Sequence, residues 1–187
     1  MSDLGKSIID AIDFIASVHK DVSKLIGCVD DSLRGKGLDS SIWGSTSVWD
    51  RSAAYHSPNG WMPRYLCRVY VPTVSEGKKF EAVHRSWAFF IAYLTPKLVH
   101  EPTAVWGVVT LSEAGQMWPV MRPLLLRDDG PAFLKTALVQ DWQELADPPE
   151  NLNLKSLRYR ASPLVSLTDA DAVDRIVITP LDEAFQR

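Results

Sequence analysis

LGKSIIDAIDFIASVHKDVSKLIGCVDDSL, residues 4–33, is the stretch whose reading decides the fold. Leu4, Ile8, Ala11, Ile15, Val18, Val22, Leu25 and Val29 follow one another in alternating steps of four and three. That spacing returns a side chain to the same face of an α-helix on every turn. Written as heptads, Ile8, Ile15, Val22 and Val29 fall at a positions and Leu4, Ala11, Val18 and Leu25 at d. Lys6, Asp10, Asp13, Lys20 and Lys24 form the polar side. Branched residues at every a position favour a two-stranded parallel seam wherever two such helices pair. Ile12, Ile26 and Leu33 widen the stripe beyond what such a seam needs, which favours packing on the chain's own domain.

Length adds a second constraint. A helix from Asp3 to Arg34 spans about 48 Å at 1.5 Å per residue, whereas a compact domain of this size is roughly 40 Å across. The helix therefore breaks near Gly27 or projects, and Gly35 and Gly37 end it.

Beyond the helix, residues 36–63 are rich in Ser, Gly and Trp, with Pro58-Asn59-Gly60 as a turn signal. Ser47 and Asp50 fit a capping box, so the segment predicts a short helix over 48–55. Tyr65–Val71 alternates in the manner of a strand, and 72–79 with Glu76-Gly77 predicts a hairpin connection. Residues 81–94 tolerate either periodicity; Trp87, Phe89, Phe90, Ile91 and Tyr93 favour a strand. Thr103–Leu111 is a further strand, which suggests an antiparallel meander. Gly130-Pro131, followed by apolar Phe133, Leu134, Ala137, Leu138, Trp142 and Leu145, predicts a helix that Pro148-Pro149 stops. Residues 154–160 and 175–179 are the last strand candidates. Thr168 as an N-cap, with acids in the first turn, explains Asp169, Asp171 and Asp174 without a bound cation.

The expected fold is therefore α+β: a long N-terminal amphipathic helix packed on a mainly antiparallel sheet, with a second helix near 131–146. No linker, repeat or low-complexity tract divides the chain, so 1–187 reads as a single domain. An apolar fraction of 46% and a charged fraction of 23% are those of a folded globular chain. A formal charge of −3 argues against wholesale coating of nucleic acid. Two cysteines, Cys28 and Cys67, make no disulfide framework, which points to a reducing, cytoplasmic setting. The N-terminal apolar residues are interrupted by charges, so neither a signal peptide nor membrane insertion is expected.

Chemistry is sparse. His19, His56, His84 and His100 have no metal-ligand spacing, and there is no phosphate loop or serine nucleophile elbow. No catalytic residue, metal or cofactor is expected. Two sets of residues stand out as binding candidates. One is the aromatic loop, with Trp43, Trp49, Arg51, Tyr55, His56 and Trp61, residue types that binding surfaces favour. The other is Arg64 and Arg68 on one strand with Arg158 and Arg160 on another. Alternation places each pair on one strand face, where neighbouring strands would make an anion-binding plate. The reading that follows is a non-catalytic protein-interaction or regulatory protein within an assembly, meeting a partner or a second copy through residues 4–33. Two alternatives follow from the same residues: an anionic-ligand or nucleic-acid module using the strand arginines, and a small hydrolase with His56 in an aromatic pocket.

Overall fold

The computed structural model describes residues 3–40, 65–73, 84–94, 101–115, 120, 123–124, 139–145 and 152–186. Helix α1 (Asp3–Gly35) is followed by β1 (Leu38–Asp39), β2 (Tyr65–Pro72), β3 (His84–Tyr93), β4 (Thr103–Gly115), β5 (Val139–Glu144) and β6 (Leu154–Pro163). A 3-10 turn, Leu164–Ser166, leads into a C-terminal helical segment. It comprises α2 (Ala170–Val173), one π turn (Asp174–Ile178) and α3 (Thr179–Phe185). The strands form one antiparallel sheet in the order β1-β2-β3-β4-β6-β5.

Gly37, at φ 80°, lets the chain turn out of α1 directly into the sheet edge. Lys36 and Gly37 donate back to the carbonyls of Leu33 and Arg34, and Leu38 pairs with Pro72. The C-terminal end of α1 is thereby pinned to the end of β2. From there the helix crosses one sheet face, burying Val22, Ile26, Val29 and Leu33. They pack with Leu66, Tyr70, Ala88, Phe90, Ala92, Ala104 and Trp106 from the strands and Val177, Ile178 and Leu181 from the C-terminal segment. Alanine at 88, 92 and 104 keeps the sheet surface low enough for helices to lie close. The opposite face buries Cys67, Trp87, Phe89, Ile91, Val105, Val109 and Leu157, with Val120 and Leu124 against them.

Burial on both faces explains the ambiguous periodicity of β3. Every residue from Trp87 to Tyr93 is buried, so no polar side alternates with the apolar one. The strand preference at 81–94 corresponds to β3, and the strands expected at 65–71, 103–111 and 154–160 correspond to β2, β4 and β6.

Two expected elements are corrected. The helix near 131–146 is not found where it is described: Val139–Glu144 forms β5, and 131–138 lie outside the described residues. Pairing with the exposed edge of β6, Gln143 opposite Tyr159 and Glu144 opposite Arg158, outweighs the local helical spacing. The second helical region is C-terminal instead. Residues 175–179, expected as a strand, lie in it because Val173, Val177, Ile178, Leu181 and Ala184 all bury one helical face. Its cap is Asp169 rather than Thr168; the Asp169 carboxylate accepts from the Ala172 N–H at 2.8 Å. The short helix expected at 48–55 lies outside the described residues.

Candidate interaction surface

Helix α1 does not break at Gly27; it runs unbroken from Asp3 to Gly35. Eighteen residues make five turns of 3.6, or about 27 Å of rise. Leu4, Ile8, Ala11 and Ile15 therefore lie in line with Val22, Ile26, Val29 and Leu33, each eighteen residues on. The second set is buried on the sheet; of the first, Leu4, Ile8 and Ala11 are exposed and Ile15 is half-buried where the sheet ends. Leu4 is 71% exposed and Ile8 52%, with Ile12 at 59% and Phe14 at 68% on the two flanks. One apolar face thus serves as core in the inner half of the helix and as surface in the outer half.

Where the helix leaves the sheet it roofs a groove of about 600 Å³. Phe14, Ile15, Val18, Val22 and Leu25 form the roof. The floor comes from the end of β3 (Leu94), the start of β4 (Pro102) and the turn after β6 (Leu164, Val165, Leu167). Val165, 74% exposed, extends the apolar surface from the groove onto its rim.

The strand arginines have a different setting. Register places Arg68, Arg158 and Arg160 on the same sheet face as α1. Arg68 lies opposite Phe90, Phe90 opposite Trp106, and Trp106 opposite Arg160. Three strand spacings, roughly 14 Å, separate Arg68 from Arg160. Arg68 is mostly buried, with Nε 3.4 Å from the Asp30 carboxylate, a contact without hydrogen-bond alignment. Asp30 also accepts a 2.8 Å hydrogen bond from Tyr70. Burial first, and the Asp30 carboxylate second, push the Tyr70 phenol well above its ordinary range. Removing the carboxylate would strand a guanidinium and a phenol in the core. Asp30→Ala is expected to cost about 3 kcal/mol, read as a shift in the urea midpoint; an unchanged midpoint would show that the pair adds nothing.

Arg158 and Arg160 lie over the Trp142 ring, 5.2 and 5.8 Å from its centroid. Arg160 also borders a second groove of about 450 Å³ with Arg175, Ser162, Ser166 and Trp106. The Trp106 Nε1 is buried with no hydrogen-bond partner among the described residues. Arg64 and the aromatic-loop residues Trp43, Trp49, Arg51, Tyr55, His56 and Trp61 lie outside the described residues.

Cys67 is buried, and desolvation pushes its thiol from 9.0 up to about 12, against a smaller opposing pull from Arg68. It is a core residue in chemistry as well as position. In the unfolded chain the thiol ionises near 9.0, in the folded chain only near 12, so stability is expected to fall as pH rises through that window. Native protein at pH 8 should react with a thiol reagent at Cys28, which is half-buried, and at Cys67 only after unfolding. Rapid modification of both would place Cys67 wrongly.

Sequence reading missed Asp30, Trp142, Arg175 and the groove floor. Asp30 carried a signal, a carboxylate directly beside Val29 of the buried stripe. The floor carried none, because the topology of the sheet assembles it from three distant strand ends. Among the described residues, no cluster of His, Cys, Asp or Glu could hold a metal ion, and no helix is long and apolar enough to cross a membrane. A scan of family models, a search of curated proteins and a search of solved structures each give no match to this chain.

Proposed function

We propose that this is a non-catalytic contact protein working within an assembly, which docks through the outer half of α1 and the groove at its base. The observation that carries the reading is the apolar stripe, continuous over eighteen-residue steps from buried to exposed positions. Helix propensity alone gives weak support to an exposed segment holding Gly5, Ile8, Ile9, Ile12 and Ile15. A free helical segment of this length is marginal in water. Contact with a partner supplies what propensity does not.

The test is elution from native-host lysate. Wild type should elute well above the position of a 20.9 kDa chain. Ile8→Glu/Ile12→Glu, which alters exposed positions only, should shift toward that position with unchanged circular dichroism and melting. Identical elution of both would contradict the reading.

The Trp106 groove favours a second reading, a small anionic ligand held between Arg160 and Arg175 with the buried indole N–H as a further donor. Titration with inorganic phosphate, monitored by tryptophan fluorescence, is expected to saturate in wild type. The response should weaken at least tenfold in Arg160→Gln/Arg175→Gln. Equal responses would remove this reading.

A further inference from the structure

We infer that the occupant of the outer half of α1 is a second copy of this chain, laid antiparallel, so that each copy's N-terminal turns fill the other's groove. This rests on the docking role proposed above and names the partner.

Sterics exclude a parallel pair. The face that would form a seam at Leu4, Ile8, Ala11 and Ile15 is covered by the protomer's own sheet from Val22 onward. A second helix laid parallel on that face would run into this sheet within a turn of residue 18. The second copy's sheet would in turn occupy the place of α1. Branched a positions favour a parallel pair only when both helices are free along their length, and here half of each is engaged. Reversing one helix removes both clashes. The outer halves overlap over residues 4–18, and each sheet lies beyond the N-terminus of the other helix. That N-terminus then points into the groove, where Leu4 of the second copy comes level with Val18 and Ile8 with Phe14, and Val22 lies one turn beyond.

Area gives the second argument. Leu4, Ile8, Ile12 and Phe14 leave on the order of 400–500 Å² of apolar surface in water per chain, near the upper end for the largest patch on a monomer. Two such faces, with the polar atoms covered beside them and the groove walls, reach about 1,000 Å², where a specific interface becomes stable.

Charge gives the third. From Asp3 to Val18 the outer half carries Asp3, Asp10 and Asp13 against the single Lys6. These charges lie on the polar side, away from the Leu4–Ile15 face, so they stay in water when two copies meet, and the segment lacks the basic face by which an amphipathic helix binds anionic lipid.

The test uses purified full-length chain carrying Cys28→Ser, with spin labels at Asp10→Cys or Lys20→Cys, both exposed positions. Light scattering should give twice the chain mass, falling to one chain mass in Ile8→Glu/Ile12→Glu with the fold retained. Label separations should be short at position 10, about 20 Å, and beyond about 30 Å at position 20, because antiparallel overlap moves position 20 some eighteen residues of rise from its counterpart. Short separations at both positions would overturn the antiparallel arrangement. A wild-type monomer would overturn the second copy as occupant while the docking role stands on the lysate test. A dimer unchanged by the double variant would overturn both. Co-sedimentation of a monomer with phosphatidylserine vesicles, lost in the variant, would assign the face to a membrane instead.

Discussion

Gly107→Val is expected to leave no folded protein. Gly107 sits on β4 between Phe89 of β3 and Tyr159 of β6. A Cβ placed there would stand 2.1 Å from the Arg158 carbonyl oxygen and 2.9 Å from both Phe89 Cζ and Tyr159 Cα. Two of those contacts are backbone of the neighbouring strand, which moves only if the β4–β6 ladder opens. The ring of Phe89 occupies the space a side chain would need. Ordinary overpacking costs about 1–3 kcal/mol; a branched residue against fixed backbone should exceed that and consume most of a typical stability of about 5–15 kcal/mol. Loss of the far-ultraviolet strand signal in purified Gly107→Val checks this. Wild-type melting in that variant would mean that β4 and β6 pair in another register.

Ile91→Asp is expected to have a comparable effect for a different reason. Ile91 is fully buried on the face away from α1, among Cys67, Phe89 and Val105. The packed residues around it are apolar, so an aspartate there stays charged without a partner or takes up a proton at large cost. The expected loss is about 4–5 kcal/mol or more, measured by urea denaturation. Ile91→Val should cost only about 1 kcal/mol, which separates polarity from shape. A stable Ile91→Asp variant would show that the side chain reaches water.

Much of this fold is legible from local pattern, and the failures have physical causes. The α1 stripe and its glycine stop are strong because one face is apolar for eight turns and Gly37 adopts a conformation other residues resist. Strands β2, β3 and β4 are rich in branched and aromatic residues, and β6 alternates buried Leu157, Tyr159 and Ala161 with Arg158 and Arg160. Strand β5 is not legible: Trp142 and Leu145 fit a helical face as well as a sheet edge, and only the availability of β6 decides. Residues 175–179 read as a strand when taken alone. Extending the window to Ala184 reveals the helical spacing of Val173, Val177, Ile178 and Leu181.

The candidate surface divides similarly. Its helix half is visible in the first line of sequence, as is the conflict between helix length and domain size. The direction of pairing is not visible, because it depends on which half of the stripe the sheet covers. Arg68, Arg158 and Arg160 share a face, yet both that and their spacing across the sheet follow from strand order and register, which no local pattern encodes. Arg68 is drawn into the core by Asp30, forty positions from its hydrogen-bonding partner Tyr70.

Hydrogen exchange across α1 tests the docking role most directly. Amides of residues 22–33 should be protected in wild type and in Ile8→Glu/Ile12→Glu alike, since their face is buried on the sheet. Amides of residues 4–18 should be protected in concentrated wild type, lose that protection on dilution, and exchange at least tenfold faster in the variant. Protection of residues 4–18 that is independent of concentration and identical in the two proteins would contradict docking through this half of the helix.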